Sequence, residues 1–418
     1  MFKKLVVKFG ILIPSFLILS LSPYTTMAFA DQNIEIVGGS AAGLPKIAVV
    51  NFSNDSQNIF ADIIASDLGV TGEFNVARYS SADVVESSVQ YIVTGMANES
   101  NITFSLSNNI GNSSKALVQQ NFGFNSNSVR KAAHMSSNTI YKQLTNVSGV
   151  FTSKIAYILK QGNHYSIIVS DYDGYNQKTL LSAKAPIISL AWDNTGQQIA
   201  YVTYELGKPV VYVQDIYKVN RYITANFSGS NSSPAFTNSQ SQLAVTLTKD
   251  YGSHIYLVNN QKFTSRSNAV NLINFGTIDT EASVGKNGAM VFTSNHDGGP
   301  QIFMTDMRGS APARLTINLG NYNTSAKLSH DLSKITFVNR NYGVLKTYVM
   351  DLSSKSAYPV SLNSSLDMAP SFAPNDKLIL FSSNGSMYIV NTLGTTQTKL
   401  HKISGNIIDQ EWANTAIN

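Results

Sequence analysis

Cysteine is absent from all 418 residues, so neither a disulfide nor a thiolate metal site holds this chain together. Charge is also scarce. Only 13% of residues are Asp, Glu, Lys or Arg, and no block of Lys and Arg interleaved with aromatics offers the phosphate-tracking surface a nucleic-acid partner requires. The formal charge of +5 depends on Lys3, Lys4 and Lys8 near the start, and +2 remains without them. The N-terminal apolar run spans the 13 residues Phe9 to Leu21 and is interrupted by Pro14. That falls short of the roughly 20 residues a membrane-spanning helix needs. Catalytic signatures are missing too. The hydrolase elbow G-x-S-x-G has only near misses, at Gly38–Gly43 and Gly229–Ser233. The histidines His134, His164, His254, His296, His330 and His401 never stand four apart, and neither H-E-x-x-H nor G-x-x-x-x-G-K occurs. No cofactor or metal is expected.

What is present begins with a basic start, the apolar run, and Ala28-Phe29-Ala30 before Asp31, the three parts of a cleaved export signal. Cleavage is expected between Ala30 and Asp31, placing the mature protein in the exported compartment. With 43% hydrophobic and 10% aromatic residues the remainder has the composition of a folded protein, and its length suggests two domains. Export without disulfides leaves packing as the source of stability, and a sheet that closes on itself meets that demand.

Residues 31–147 alternate between strands and helices. Lys46–Phe52, Phe74–Tyr79, Tyr91–Ala97, Ile102–Leu106 and Lys115–Phe122 read as strands. Ile59, Phe60, Ile63, Ile64 and Leu68 fall at helical spacing, as do Val129, Ala132, Ala133, Ile140 and Leu144. Residues 148–418 carry a repeat instead. A bulky residue before a turn and an apolar strand recurs at Trp192, Phe236, Val284, Leu328 and Phe372, spaced 44, 48, 44 and 44. An Asp or Asn ends a later strand of each unit, at Asp171, Asp215, Asn259, Asp306, Asp351 and Asn391, and these six imply six blades. Such residues cap turns by accepting backbone N–H bonds. The first unit, from Phe151, lacks its bulky-residue strand, and Gln410–Asn414 around Trp412 supplies it. Joining the two closes the ring and leaves no blade edge free. The expected fold is a small N-terminal α/β domain followed by a six-bladed β-propeller closed by the C-terminal strand.

Over essentially the whole mature chain the sequence resembles the TolB family of the Tol-Pal cell-envelope system. The likeness is densest at Arg130–Ile158, Ser170–Leu181, Ile278–Phe303 and Leu366–Ser383. The usual Ser-Pro-Asp-Gly turn is eroded here to DNTG, TNSQ, GKNG, SHDL and APND, and Asn138 stands where an acidic residue is usual. The resemblance implies a non-enzymatic, monomeric scaffold serving envelope integrity and outer-membrane constriction at division. It further implies contact with the lipoprotein Pal through the loops before the bulky repeat residues, at Ser230, Ser233, Thr280, Glu281, Thr324, Ser325, Asp367 and Met368. The mature N-terminal stretch, Asp31, Gln32, Asn33, Ile34, Glu35, Ile36 and Val37, is the implied contact for TolA, docked on the small domain in one state and released in the other. Other outer-membrane proteins or lipoproteins are further candidate partners. Arg130 and His134, one helical turn apart, are read as interdomain packing. A lactonase- or sialidase-like propeller hydrolase would need carboxylates or a metal converging in the channel, and a glycan binder would need aromatic platforms, which these loops lack.

Overall fold

The computed structural model describes residues 36–38, 43–109, 115–249, 251–403 and 405–416, which belong to one compact unit. The leader, the Ala30–Asp31 cleavage site and Asp31–Glu35 lie outside the described residues. Lys46–Val50 is second from the edge of the α/β layer's sheet, parallel to Asn75–Tyr79 on one side and to Tyr91–Ala97 on the other. Antiparallel Asn101–Asn108 and Lys115–Gly123 complete five strands. Helices α1 (Ile59–Val70) and α2 (Val129–Thr145) bury Phe60, Ile64, Leu68, Ala133 and Ile140 with Ile47, Val49 and Val93. This is the helical periodicity of the sequence turned toward the sheet.

Six further sheets follow. Blade 1 is Asn406–Ala416, Ser153–Gln161, His164–Asp171 and Lys178–Ala183, from the inner strand outward. Blades 2 to 5 each run through four consecutive strands, with inner strands Ile187–Trp192, Asn231–Phe236, Asp279–Val284 and Asn323–Leu328. Blade 6 starts at Asp367–Phe372 and ends at Thr396–Lys399. The C-terminal strand joins the first blade as the repeat offset required, with Trp412 opposite Ile155. Four of the strand-end markers cap turns as expected: Asp215, Asp306, Asp351 and Asn391 accept the backbone N–H groups of Tyr217, Arg308, Ser353 and Thr395 at 2.8–3.0 Å.

One placement differs from expectation. Ile36–Gly38 does not join the α/β layer, where the 31–147 division put Ile36 and Val37. It runs antiparallel to the outer strand of blade 6, Ile36 opposite Thr398 and Val37 opposite Gln397. An outermost blade strand has an unpaired edge, and a short extended segment satisfies it. The docked segment is therefore held by the propeller and not by the small domain.

The α/β layer packs on the turns of blades 1 and 6 at one end of the ring. Asn391 donates to Thr71 O at 3.2 Å and Asn375 to Ser148 O at 3.2 Å. Gly72 sits in this contact at φ +66°, where an added Cβ would lie 2.3 Å from Thr396 Oγ1, so both its conformation and its surroundings exclude a side chain. Asn138 explains its departure from the family pattern, because it accepts the N–H of Phe151 at 3.0 Å and donates to Thr152 at 3.1 Å, fixing the link between helix and propeller. Deeper in the same contact, His134 Nδ1 lies 2.8 Å from Asp67 and Nε2 3.4 Å from Asp173. Tyr172 donates to Asp67 at 2.5 Å, and Arg130 pairs with Asp173. The expected interdomain role of Arg130 and His134 is what the geometry displays.

Candidate functional site

An inner strand has one edge facing the propeller channel, and its geometry determines what lines that channel. Each of the six inner strands shifts register midway, at Ile188/Leu190, Ser232/Ala235, Thr280/Ser283, Thr324/Lys327, Met368/Ser371 and Ile407/Asp409. Five of these bulges place a residue in the left-handed region: Ser189, Ser233, Glu281, Ser325 and Ala369, at φ 45–56°. A bulge re-aims its side chain, and here the bulge residues enter the channel. A second ring lies two residues further along: Ala191, Ala235, Ser283, Lys327, Ser371 and Glu411.

The free edges of these strands carry backbone N–H groups that need acceptors. Side chains of the preceding blade provide several. Asp409 accepts from Leu190 N at 2.6 Å and Glu411 from Trp192 N at 2.7 Å. Glu281 accepts from Ser325 N at 2.8 Å, Ser283 from Leu328 N at 3.1 Å, and Ser371 from Trp412 N at 2.9 Å. At the Leu190 position blades 3 and 6 have Pro234 and Pro370, which lack the donor.

Charge therefore converges in the channel. Lys327 lies 2.5 Å from Glu411. Burial alone would lower its pKa, but the carboxylates of Glu411, Asp409 and Glu281 raise it. Burial pushes Asp409 up to about 7, with the Leu190 N–H and Lys327 opposing and Glu411 reinforcing the shift. A hydrolase would also gather carboxylates in a channel; here each of the three accepts from a backbone N–H, and Glu411 also pairs with Lys327. Among the described residues no three His, Cys, Asp or Glu side chains are placed to share a metal ion.

The inner strands begin at the end of the ring opposite the α/β layer, and the hairpins joining second to third strands share that end, since Asn231 pairs with Leu247 just before the Lys249–Gly252 turn. The structure brings Ser233 and Thr280 together at 3.2 Å, and Glu281 and Ser325 at 3.2 Å between side chains. Thr293 also donates to Glu281 at 2.8 Å. Ser230 and Thr324 are half-buried on the rim, and Met368 is 47% exposed. Asp367 does not reach the surface. It is 0% exposed and accepts from Thr347 N at 2.8 Å. Asn231, Asp279 and Asn323 occupy the matching positions and are equally buried, so Asp367 holds the loop together and cannot meet a partner.

Sequence reasoning missed two groups. Asp409 and Glu411 were legible, because the 40-residue step from Phe372 to Trp412 also carries Ala369 to Asp409. Exposed apolar residues on the same face were missed because some stand on hairpins outside the loops considered: Tyr251 and Tyr342 at the tips, with Ile278 and Leu366 beside the inner strands. Aromatic rings thus do stand on this face, contrary to the expectation for the loops alone.

A ring of six closed blades with an α/β layer on one end and an open, polar-lined mouth at the other defines a six-bladed β-propeller with an appended α/β layer. The family model for the TolB beta propeller domain matches residues 141–416. The Tol-Pal system protein TolB of Bordetella pertussis is 33% identical over 408 residues, covering 92% of this chain and 91% of that one. TolB of Acinetobacter baylyi is 34% identical over 225 residues, half of this chain and 52% of its own. The crystal structure of TolB from Acinetobacter baumannii superposes with a TM-score of 0.78 at 28% identity, covering 91% of this chain and 99% of that one. The chain belongs to the TolB family of the Tol-Pal system.

Proposed function

We propose that this chain is a non-catalytic periplasmic scaffold, exported by cleavage after Ala30, with an α/β domain at 31–147 and a propeller at 148–418. It docks the lipoprotein Pal at the propeller mouth and offers its mature N-terminal stretch to TolA, supporting envelope integrity and constriction at division. Family membership supports a role within the Tol-Pal system. The described residues include no helix long and apolar enough to cross a membrane. The observation that carries the docking reading is the mouth itself. It faces away from the α/β layer and surrounds the Glu281–Ser325 contact with exposed Ile278, Leu366, Met368, Tyr251 and Tyr342. Exposed Tyr and Met side chains beside polar groups match the residue types enriched in protein interfaces.

Glu281→Arg places a cation beside Lys327 and removes the acceptor of Ser325 N. Binding of purified cognate Pal is expected to weaken at least tenfold, or about 1.4 kcal/mol, measured by calorimetry on a variant whose melting curve matches wild type. Unchanged affinity would remove the mouth from the reading. The N-terminal contact has its own measurement. Because Ile36–Gly38 is paired with Thr396–Thr398, its release toward TolA requires breaking that ladder. Amide exchange at residues 36–38 is expected to change when Pal saturates the propeller, and identical exchange curves would show the two contacts to be independent.

A further inference from the structure

Between the rim and Lys327 the channel holds a chamber of about 90 Å³. Glu281 on blade 4 and Asp409 on blade 1 enter it from opposite walls of the six-blade ring. Gln410, also in the lining and 2% exposed, spends both N–H groups on Met368 O and Ala369 O, at 2.8 and 2.9 Å. Its Oε1 is buried without a partner. The chamber is therefore rich in acceptors and poor in donors. Its one ammonium, Lys327, is held by Glu411, and three carboxylates, Glu281, Asp409 and Glu411, share that single positive charge. Buried acceptors and excess negative charge call for a cation with several donors. Among the described residues no three His, Cys, Asp or Glu side chains are placed to share a metal ion, so an organic cation is the donor these acceptors favour, and Mg²⁺ is the competing arm of the test. The chamber has room for the head of a side chain.

We propose that the upper chamber is a subsite for one organic cation, the guanidinium or ammonium head of a basic side chain that a docking partner inserts through the mouth. The source of the cation rests on the docking reading above; the chamber chemistry does not. Acidity should oppose binding. Asp409, facing Lys327, Glu411 and Glu281 and bonded by the Leu190 N–H, takes up a proton near neutral pH, and that proton competes with the ligand.

The test is a calorimetric titration of the full chain with methylguanidinium, methylammonium and, separately, Mg²⁺. An organic cation is expected to saturate one site at pH 8 and to bind about tenfold more weakly at pH 6, one unit below the Asp409 midpoint. Glu281→Gln and Asp409→Asn should each weaken binding at least tenfold. Gln410→Met, which keeps size but removes the orphan acceptor, should weaken it several-fold, while Lys286→Ala outside the chamber should change nothing. Melting curves identify any variant that fails to fold, and Gln410→Met then carries the comparison. Absence of saturable binding, equal binding by all variants, or a response to Mg²⁺ alone overturns the subsite. Repeating the Pal titration with methylguanidinium at ten times its own Kd assigns the source. Weakened Pal binding supports a partner side chain, and undiminished binding overturns it. If Pal does not bind even without competitor, the docking reading falls while the small-cation titration still decides the subsite.

Discussion

Trp412→Ala is expected to lower the unfolding free energy by about 3–5 kcal/mol, the range for removing a large buried aromatic. Trp412 is 0% exposed and sits opposite Ile155 on the strand that closes the ring. Its indole N–H donates to Ser153 Oγ at 2.7 Å, and its ring stacks on Tyr172 at 6.0 Å. Its backbone N–H donates to Ser371 on blade 6. Side chain and backbone of this one residue thus tie together the first blade, the last blade and the Tyr172 contact beneath the α/β layer; the substitution leaves a cavity beside Ser153 and Tyr172, while the backbone bond to Ser371 survives. Urea unfolding followed by circular dichroism measures the loss. Trp412→Phe should retain part of the stability, because the ring contact survives and only the bond to Ser153 is lost. Met368→Ala on the exposed rim should stay within about 0.5 kcal/mol. A loss below 1 kcal/mol for Trp412→Ala would mean that ring closure does not depend on this residue.

The propeller was legible because its burial is periodic. Trp192, Phe236, Phe372 and Trp412 recur at one offset along the inner strands, and all four are buried. The joining of Trp412 to Ile155 followed from counting strands at the two ends. The α/β layer was legible for a different reason, its switch between periods of two and 3.6. Ile36–Gly38 was not, since a three-residue extended segment says nothing about which free edge it will find. Asp367 misled because a polar residue before a strand reads as exposed. Its alignment with Asn231, Asp279 and Asn323 was available, and a polar residue recurring at one offset in four consecutive blades marks a buried cap and not a contact surface. Glu281 lay where expected, but its partner Ser325 comes from the next blade, a proximity that only ring geometry creates.

The second large effect is expected at the buried charges between α/β layer and propeller. His134→Leu should cost about 3–5 kcal/mol, the penalty for removing one partner of a buried ion pair. Asp67 and Asp173 would then face each other across an apolar side chain, held by Arg130, the Tyr175 N–H and the Tyr172 hydroxyl. Burial alone would lower the pKa of His134, but the two carboxylates raise it from 6.5 to about 10. Its contribution is therefore fully present below pH 6.5 and is lost as pH climbs through 10. Asp173 behaves in the opposite sense. Burial would raise its pKa, yet His134 and Arg130 bring it from 3.8 to about 2, so its contribution is present above pH 3.8 and lost as pH falls through 2. Thermal unfolding across pH should show the widest gap between wild type and His134→Leu at about pH 4–6.5, narrowing toward pH 10. Adding Asp67→Asn to His134→Leu should recover part of the loss, because one uncompensated charge is gone. A gap that stays constant from pH 5 to pH 10 would show that His134 acts by shape alone. The narrowing is the discriminating result, because a packing defect has no proton to lose.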